Sequence, residues 1–239
     1  MQTVAIGIFC KTPAPGLSKT RLSPPLRPDE CAAISACFIR DLTGTIAEVA
    51  RDGFATGYAV YTPLGSEAAL RTLLPGGFRL LPQCEGDFGV RLMTATRELL
   101  RNHAGAILVN ADSPTLPAAI LSAAVSATRR GNAVVLSPAL DGGYTLIGVS
   151  QMHPRLYDDI PWSTAAVFGK TVERAAEIDL PVVTVPGWYD VDDAASLATL
   201  EAELAGAPPF TDAFPGADAP ATRAHLMARA TPLRAGSAR

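Results

Sequence analysis

The segment AILVNADSPTLP, residues 106–117, decides the fold. Its apolar run is typical of a strand buried in a parallel sheet. Asp112 follows this strand in a turn that Pro114 and Pro117 stiffen. Because open α/β sheets bind ligands at the carboxyl ends of their strands, we interpret Asp112 as a candidate metal ligand. The alternative is that Asp112 only caps the helix that begins near Pro117.

A second acidic residue also follows a strand. Asp141, Gly142 and Gly143 come between the apolar runs 133–136 and 145–149. Paired glycines remove side chains where a backbone turns sharply or a ligand approaches closely. Asp141 is therefore a candidate to contact a ligand or to act as a general base. An ordinary hairpin turn explains the same three residues equally well.

The first strand, TVAIGIF, leads into a basic loop, KTPAPGLSKTRL, residues 11–22. Lys11, Lys19 and Arg21 lie in this loop, and its prolines and Gly16 keep it from becoming helical. Arginine can bind two phosphate oxygens at once and lysine is a movable charge, so the loop suits a diphosphate or triphosphate. Walker A and Gly-x-Gly-x-x-Gly spacings are absent. A solvated basic loop is the alternative.

The fourth segment is WYDVDD, residues 188–193, which follows a late apolar run. Asp190 and Asp192 alternate, so they share a face in an extended chain, whereas Asp193 is placed to cap the next helix. Either Asp190 or Asp192 could join Asp112 across the sheet around a divalent cation. Hard oxygen ligands without a histidine or cysteine cluster favour Mg²⁺ or Mn²⁺.

The order of elements predicts an α/β domain with a mostly parallel sheet and helices on both faces. Apolar residues at helical spacing predict helices over 28–51 and 89–102, with strands near 54–61 and 78–81 between them. Alternation of strands and helices is typical of a doubly wound sheet. We therefore expect a single domain over residues 1–205.

The end of the chain has a different composition. Residues 206–239 are rich in alanine, proline and glycine and contain few large apolar side chains. Such a segment buries little apolar surface, so we predict a loosely ordered tail. Ala221 to Arg229 could still form one short helix.

Composition restricts the class of protein. The chain has 239 residues, of which 48% are hydrophobic, and a net charge of -3, so it can bury one large core and gives no reason to expect a nucleic-acid partner. Its four cysteines form no Cys-x-x-Cys pair, which is typical of buried thiols in a reducing compartment. No apolar run approaches the ~18 residues of a membrane span. We expect a cytoplasmic protein with no membrane span.

Ten short segments, taken in chain order, resemble one known family. They are Lys11 to Gly16, Lys19 to Leu22, Gln83, Gly86 to Gly89, Arg91 with Leu92, Asp112 to Pro114, Asp141 to Tyr144, Ile147 with Gly148, Ile160 to Thr164, and Asp190 to Asp192. The family is the bacterial GT-A-fold glycosyltransferase-like group that occurs near radical-SAM, arsenosugar and selenium-related genes and was long a domain of unknown function. The resemblance covers residues 3–204. Asn110 and Ser137 stand where the family favours glycine.

This resemblance implies a single GT-A, or nucleotide-diphospho-sugar transferase, domain and a metal-dependent transferase with a nucleotide-sugar donor and a small-molecule acceptor. The metal and the basic loop would stabilise the departing diphosphate. Gln83, Asp87 and Arg91 are expected to contact the nucleotide, although a capped helix start with an exposed arginine explains them equally well. The predicted site comprises Lys11, Gly16, Lys19, Arg21, Gln83, Asp87 and Arg91 for the nucleotide and phosphates; Asp112 and Asp192, with Asp190 as rival, for Mg²⁺ or Mn²⁺; Asp141, Gly142, Gly143 and Trp162 for the acceptor or sugar; and Asp141, Lys19 and Arg21 as catalytic groups.

Two other activities stay open. The segments KTRL, residues 19–22, and DVD, residues 190–192, are similar to features of nucleotidyltransferases of the same fold, including the guanylyltransferase that activates phospholactate. The first alternative is therefore transfer of a nucleoside monophosphate from a nucleoside triphosphate to a small phosphorylated acceptor, with release of pyrophosphate. The second is a nucleotide-binding protein without turnover, since one fold hosts many functions.

Overall fold

The computed structural model describes residues 3–207 and 214–230, in which strands and helices alternate as predicted. The strands are β1 Val4–Lys11, β2 Ala55–Thr62, β3 Arg79–Pro82, β4 Gly105–Asn110, β5 Val134–Pro138, β6 Tyr144–Val149 and β7 Val182–Thr184. The helices are α1 Pro28–Ala50, α2 Glu67–Arg71, α3 Phe88–Leu100, α4 Ala118–Arg130, α5 Val167–Ala176, α6 Ala194–Leu204 and α7 Pro220–Ala230, with short 3-10 turns at Thr20–Leu22 and Pro154–Tyr157.

The seven strands form one sheet in the order β3-β2-β1-β4-β6-β5-β7. All neighbouring pairs are parallel except the two that involve β6, which runs antiparallel to β4 and to β5. The prediction of a mostly parallel sheet is confirmed. The turn between β5 and β6 contains Asp141, so the hairpin interpretation of this segment is also correct. Because β6 lies between β4 and β5, the hairpin turn and the carboxyl end of β4 lie at the same edge of the sheet.

Helices cover both faces of the sheet, as predicted. Along β1, Val4, Ile6 and Ile8 pack in a core with α1, α4 and α6, whereas Ala5 packs in a second core with α3 and α5. This alternation follows from the two-residue period of a strand. Both faces are therefore apolar and buried, and polar groups of a site are left to the strand ends.

The prediction of a loose tail is wrong for α7, which packs against α1. The buried carboxylate of Asp41 accepts hydrogen bonds from the backbone N–H groups of Ala221 (2.9 Å) and Thr222 (2.8 Å), and Leu226 joins the core. These contacts anchor an alanine-rich segment that composition alone cannot place. The short helix expected near Ala221 is confirmed, and the domain therefore extends past residue 205. Residues 208–213 and 231–239 of the predicted tail lie outside the described residues.

Replacement of Asp41 by alanine is expected to release α7. The free energy of unfolding should fall by about 1–2 kcal/mol, since two N–H groups at a helix start lose their acceptor. Hydrogen exchange should show the loss of protection concentrated in residues 221–230. Asp52→Ala, at an exposed position after α1, is the control and should leave both quantities unchanged. Equal protection of α7 in the Asp41 variant would contradict the anchoring role.

In the part of the chain that the structure describes, no helix is long and apolar enough to cross a membrane.

Candidate functional site

The site lies at the carboxyl edge of the sheet, where two segments distant in sequence meet. The backbone N–H of Val191 donates to the carbonyl of Asp112 (2.9 Å), and Trp188 bridges to Ala139 after β5. The segment that follows β7 therefore crosses the ends of β5 and β6 and lies beside the turn after β4. This contact brings Asp112 and Asp192 together, as the sequence predicted.

Lys19 lies between these two carboxylates. Its Nζ is 2.6 Å from Oδ1 of Asp112, 2.9 Å from Oδ1 of Asp192 and 2.6 Å from the carbonyl oxygen of Val191. An ammonium has three donors, so all three are satisfied within the protein. The side chain is only 7% exposed, and its backbone is left-handed, with φ 49°. The basic loop thus directs Lys19 inward to the acidic pair.

The charge of Lys19 is maintained by its partners. Burial alone would lower the pKa of the ammonium, but the carboxylates of Asp112 and Asp192 outweigh burial and raise the pKa above its usual value. Arg21 adds a second cation, with Nη2 2.9 Å from Oδ2 of Asp192, and its side chain is 74% exposed. Two of the three predicted phosphate cations therefore contact the predicted metal ligands directly.

Asp190 has a different role from Asp192. Its Oδ1 accepts hydrogen bonds from Oγ of Ser113 (2.6 Å) and Nδ2 of Asn110 (2.7 Å). Burial raises the pKa of Asp190 to about 6, although these hydrogen bonds oppose the rise and the charges of Asp112 and Asp192 add to it. Asp190 thus holds the turn after β4, whereas Asp192 shares a cation with Asp112. The two residues thus have different contacts, and which of them would join Asp112 as a metal ligand stays a prediction.

Asn110 is a positioning residue that we did not predict. Its Oδ1 accepts from the backbone N–H of Asp112 (3.2 Å) while its Nδ2 donates to Asp190. The side chain thus links the two acidic segments. The signal was present in the sequence, because an asparagine after a strand commonly accepts a hydrogen bond from the backbone two residues on, in an Asx turn. Its departure from the glycine of the family pattern therefore supplies a contact.

The acidic pair supplies the hard oxygen ligands that a divalent cation takes, and its role as a metal site stays a prediction. Oδ1 of Asp112 and Oδ1 of Asp192 converge on one point, at which the Lys19 ammonium lies. Within residues 3–207 and 214–230, no group of three or more His, Cys, Asp or Glu side chains is arranged to hold a metal. Mg²⁺ commonly takes only one or two carboxylates and completes its shell with substrate phosphates and water. The donor set is therefore one that a metal would share with a phosphate ligand.

Two cavities share Asp112 and Asp192 in their walls. The smaller, about 280 Å³, is lined by the basic loop, including Lys11, Lys19 and Arg21. The larger, about 360 Å³, is lined by Asp141, Gly143 and Trp162 of the predicted acceptor groups, by an apolar wall and also by Arg21. A cationic compartment and a mixed apolar and acidic compartment thus meet at the acidic pair.

The Asp-Gly-Gly turn forms one side of the larger cavity. Asp141 and Gly143 line this cavity, and Oδ1 of Asp141 accepts from the N–H of Gly143 (2.9 Å). Gly142 has φ +87°, and a Cβ there would lie 2.3 Å from the carbonyl oxygen of Ala165. Gly142 is therefore required by backbone packing. In the basic loop, Gly16 has φ +71° with open space around it, so its role is to let the loop turn.

The other side of the larger cavity is aromatic. The ring of Phe88 makes edge contacts with those of Phe9 (centroids 5.5 Å apart) and Trp162 (5.1 Å). All three rings line the cavity. Of these, only Trp162 was predicted: Phe88 lies within the segment Gly86 to Gly89 but was given no role there, and no motif marks Phe9. The three rings form a wall that a flat or ring-shaped ligand could stack against.

Gln83, Asp87 and Arg91 form a neighbouring cluster outside the linings of these two cavities. Gln83 Nε2 donates to the backbone carbonyls at the ends of β1 and β2, and its Oε1 accepts from Arg91 (3.0 Å). Asp87 caps α3 by accepting from Val90 N–H (2.8 Å), which agrees with the helix-cap interpretation. Arg91 is half-buried, near the rings of Phe9 and Phe88. Contact of this cluster with a nucleotide stays a prediction.

Strand order and overall similarity define the class of the fold, which is that of GT-A-type nucleotide-diphospho-sugar transferases. The chain belongs to the family described as "Uncharacterized protein conserved in bacteria (DUF2064)", whose model matches residues 45–164. No curated protein matches the chain.

Solved structures agree with this class. A protein from Desulfovibrio desulfuricans G20, named provisionally as a nucleotide-diphospho-sugar transferase, is 27% identical, with a TM-score of 0.80 and 96% of each chain covered. CMP:2-keto-3-deoxy-manno-octonic acid synthetase, solved with CTP, is 12% identical, with a TM-score of 0.56 and coverage of 85% of this chain and 98% of its own. Glucosyl-3-phosphoglycerate synthase from Mycobacterium tuberculosis, solved with Mn²⁺, UDP and phosphoglyceric acid, is 12% identical, with a TM-score of 0.50 and coverage of 95% and 78%. The last two similarities concern the fold alone.

Proposed function

We propose that the protein is a metal-dependent glycosyltransferase that uses a nucleotide-sugar donor. The observation that carries the proposal is the meeting of two unlike cavities at Asp112 and Asp192, one cationic and one with an aromatic wall and the carboxylate of Asp141. A nucleotide sugar has two matching parts, because its charged diphosphate suits a cationic cavity and the adjoining neutral sugar ring suits an aromatic wall. The similarity to the Desulfovibrio protein supports the same assignment.

The cationic cavity would bind the diphosphate. Lys11, Lys19 and Arg21 all line it, and cations at that position stabilise the charge that develops on a departing phosphate. Arg21 is exposed and tethered only at one nitrogen to Asp192 in the described contacts, so it can turn to a ligand at small cost. Leaving-group stabilisation would therefore come from the basic loop together with the metal.

Asp112 and Asp192 would hold Mg²⁺ or Mn²⁺ at the boundary of the two cavities. When bound, such a metal acts as a Lewis acid that neutralises diphosphate charge, an effect worth several kcal/mol. Asp190 and Asn110 would keep the Asp112 turn in place through the hydrogen bonds described above. This division makes Asp192, and not Asp190, the proposed second ligand.

The larger cavity would receive the sugar and the acceptor. Trp162 would stack on the sugar ring, and Asp141 would accept the proton of the attacking acceptor hydroxyl as general base. Of the two Asp141 oxygens, Oδ1 is engaged by Gly143, so Oδ2 is the proposed proton acceptor. The fixed Oδ1 contact would orient Oδ2 in the cavity.

A thermal-shift panel in Mn²⁺ tests the proposal. Nucleoside triphosphates, diphosphates and nucleotide sugars are compared, and a ligand at 100 times its Kd should stabilise by about 2.7 kcal/mol. Selective stabilisation by one nucleotide sugar and its diphosphate, followed by release of that diphosphate on turnover, is the expected result. Preference for a triphosphate would instead support nucleotidyl transfer of the phospholactate guanylyltransferase type. Binding without release of any product would identify a non-catalytic nucleotide-binding protein, and no stabilisation would refute all three.

Trp162→Ala should selectively weaken binding of the nucleotide sugar. We expect its Kd to rise about two- to tenfold, because a stacked aromatic contact is worth about 0.5–1.5 kcal/mol, while the Kd of the nucleoside diphosphate stays the same. Isothermal titration of both ligands measures the difference. Trp162→Phe is the matched control and should retain most of the affinity. An equal loss for both ligands would place Trp162 against the nucleotide.

A further inference from the structure

The Lys19 ammonium lies at the point on which the two proposed metal ligands converge. Its distances of 2.6 Å to Asp112 and 2.9 Å to Asp192 leave no space for a second cation between the same two oxygens. A divalent cation and this ammonium would also repel each other strongly at such range. Both cations therefore compete for one position.

Lys19 also cannot bind a phosphate while its ammonium holds the two carboxylates. Its three donors point to Asp112, Asp192 and the carbonyl of Val191, so none is free for a phosphate in this conformation. The smaller cavity nevertheless includes Lys19 in its lining, together with Lys11 and Arg21. A change of side-chain rotamer would move the ammonium from the acidic pair toward this cavity.

We propose that Lys19 is a built-in cation that holds Asp112 and Asp192 together in the metal-free protein and is displaced into the phosphate cavity when Mn²⁺ or Mg²⁺ binds. This inference rests on the proposed function. Without a cation the two carboxylates would repel each other, so Lys19 keeps the site assembled before the metal arrives. Displacement then supplies the phosphate cavity with a charge only after the metal is in place. Lys19 would thus couple metal binding to phosphate binding.

The first test measures Mn²⁺ affinity by electron paramagnetic resonance of the free ion, without nucleotide. Lys19→Met removes the competing charge at similar volume and should bind Mn²⁺ at least roughly tenfold more tightly than the natural protein, since the opposing ammonium is absent. Lys170→Met, on α5 outside the two cavities, is the matched control and should bind Mn²⁺ with unchanged affinity. Circular dichroism and thermal unfolding check that the Lys19 variant is folded. Equal or weaker Mn²⁺ binding by the folded variant would overturn the inference.

The second test needs no variant, because the chain has only three lysines, Lys11, Lys19 and Lys170. Acetylation by a water-soluble succinimidyl ester, read by peptide mass spectrometry, should modify Lys19 most slowly in the metal-free protein and several-fold faster once Mn²⁺ is bound. Lys11 and Lys170 should keep their rates and serve as internal references. If Mn²⁺ binds but Lys19 is still acetylated slowly, the inference is wrong but the metal assignment is not. If neither the natural protein nor Lys19→Met binds Mn²⁺, with or without nucleotide, both the inference and the metal assignment are wrong. The affinity for nucleotides then tests the nucleotide-binding part of the proposed function separately.

Discussion

Asp112→Asn is expected to abolish metal-dependent nucleotide binding and to lower the rate of transfer by roughly a thousandfold or more, since several kcal/mol of charge stabilisation are lost. The stabilisation of about 2.7 kcal/mol by ligand at 100 times Kd should disappear in Mn²⁺. The physical reason is that an amide carries no charge and supplies only one neutral oxygen to a hard cation. Titration calorimetry and thermal unfolding with and without Mn²⁺ measure both effects.

The fold should survive this change. Lys19 retains Asp192 and the carbonyl of Val191 as partners, and the backbone contact from Val191 N–H to the carbonyl of residue 112 does not involve the side chain. Asp52→Asn, distant from the site at an exposed position, is the matched control for loss of one carboxylate. Metal-dependent binding that is unchanged in Asp112→Asn would show that the metal is assigned to the wrong residue.

The second large effect is expected from Gly142→Ala, which should destabilise the protein by about 2–5 kcal/mol. A residue with a Cβ at φ +87° is strained by roughly 1–2 kcal/mol. The new Cβ would also lie 2.3 Å from the carbonyl oxygen of Ala165, and relief of such overpacking costs about 1–3 kcal/mol. Because the contacting atom of Ala165 is a backbone oxygen, a change of side-chain rotamer cannot relieve the clash. Urea denaturation measures the loss, and the displaced Asp141 should reduce activity as well.

Gly16→Ala separates the two causes. Gly16 also has positive φ, +71°, but nothing lies within 4 Å of the position that its Cβ would take. This variant should lose only the conformational part, about 1–2 kcal/mol. If the two variants lose equal stability, the close approach of residue 142 to Ala165 has no energetic weight and the turn is free to accept a side chain.

Much of the site could be predicted because its residues follow strand ends. Asp112 after β4 and Asp141 after β5 were recognisable from apolar runs that stop at a carboxylate, and the carboxyl ends of parallel strands meet at one edge. The β5–β6 hairpin was one of two interpretations that explained the Asp-Gly-Gly segment equally well. It nevertheless keeps Asp141 at that edge, because its turn begins where β5 ends.

Other features could not be predicted, because they depend on contacts between segments far apart in the chain. Nothing near Lys19 indicates that its ammonium would lie between two carboxylates more than 90 and 170 positions away. The distinction between Asp190 and Asp192 depends on Asn110, which holds only the former. In the same way, α7 is anchored by Asp41 on α1, which no local pattern of the alanine-rich segment could show.

The sequence by itself determined the alternation of strands and helices, the mostly parallel sheet, and the position of the acidic residues and the basic loop at its carboxyl edge. These follow from hydrophobic periodicity and chain direction, which are local properties. Only the tertiary structure decided which carboxylates share the Lys19 ammonium, which aromatic rings form the wall of the cavity, and where α7 packs. Those outcomes depend on side-chain distances of a few ångströms across the sheet edge, and such distances are fixed by packing after the elements have come together.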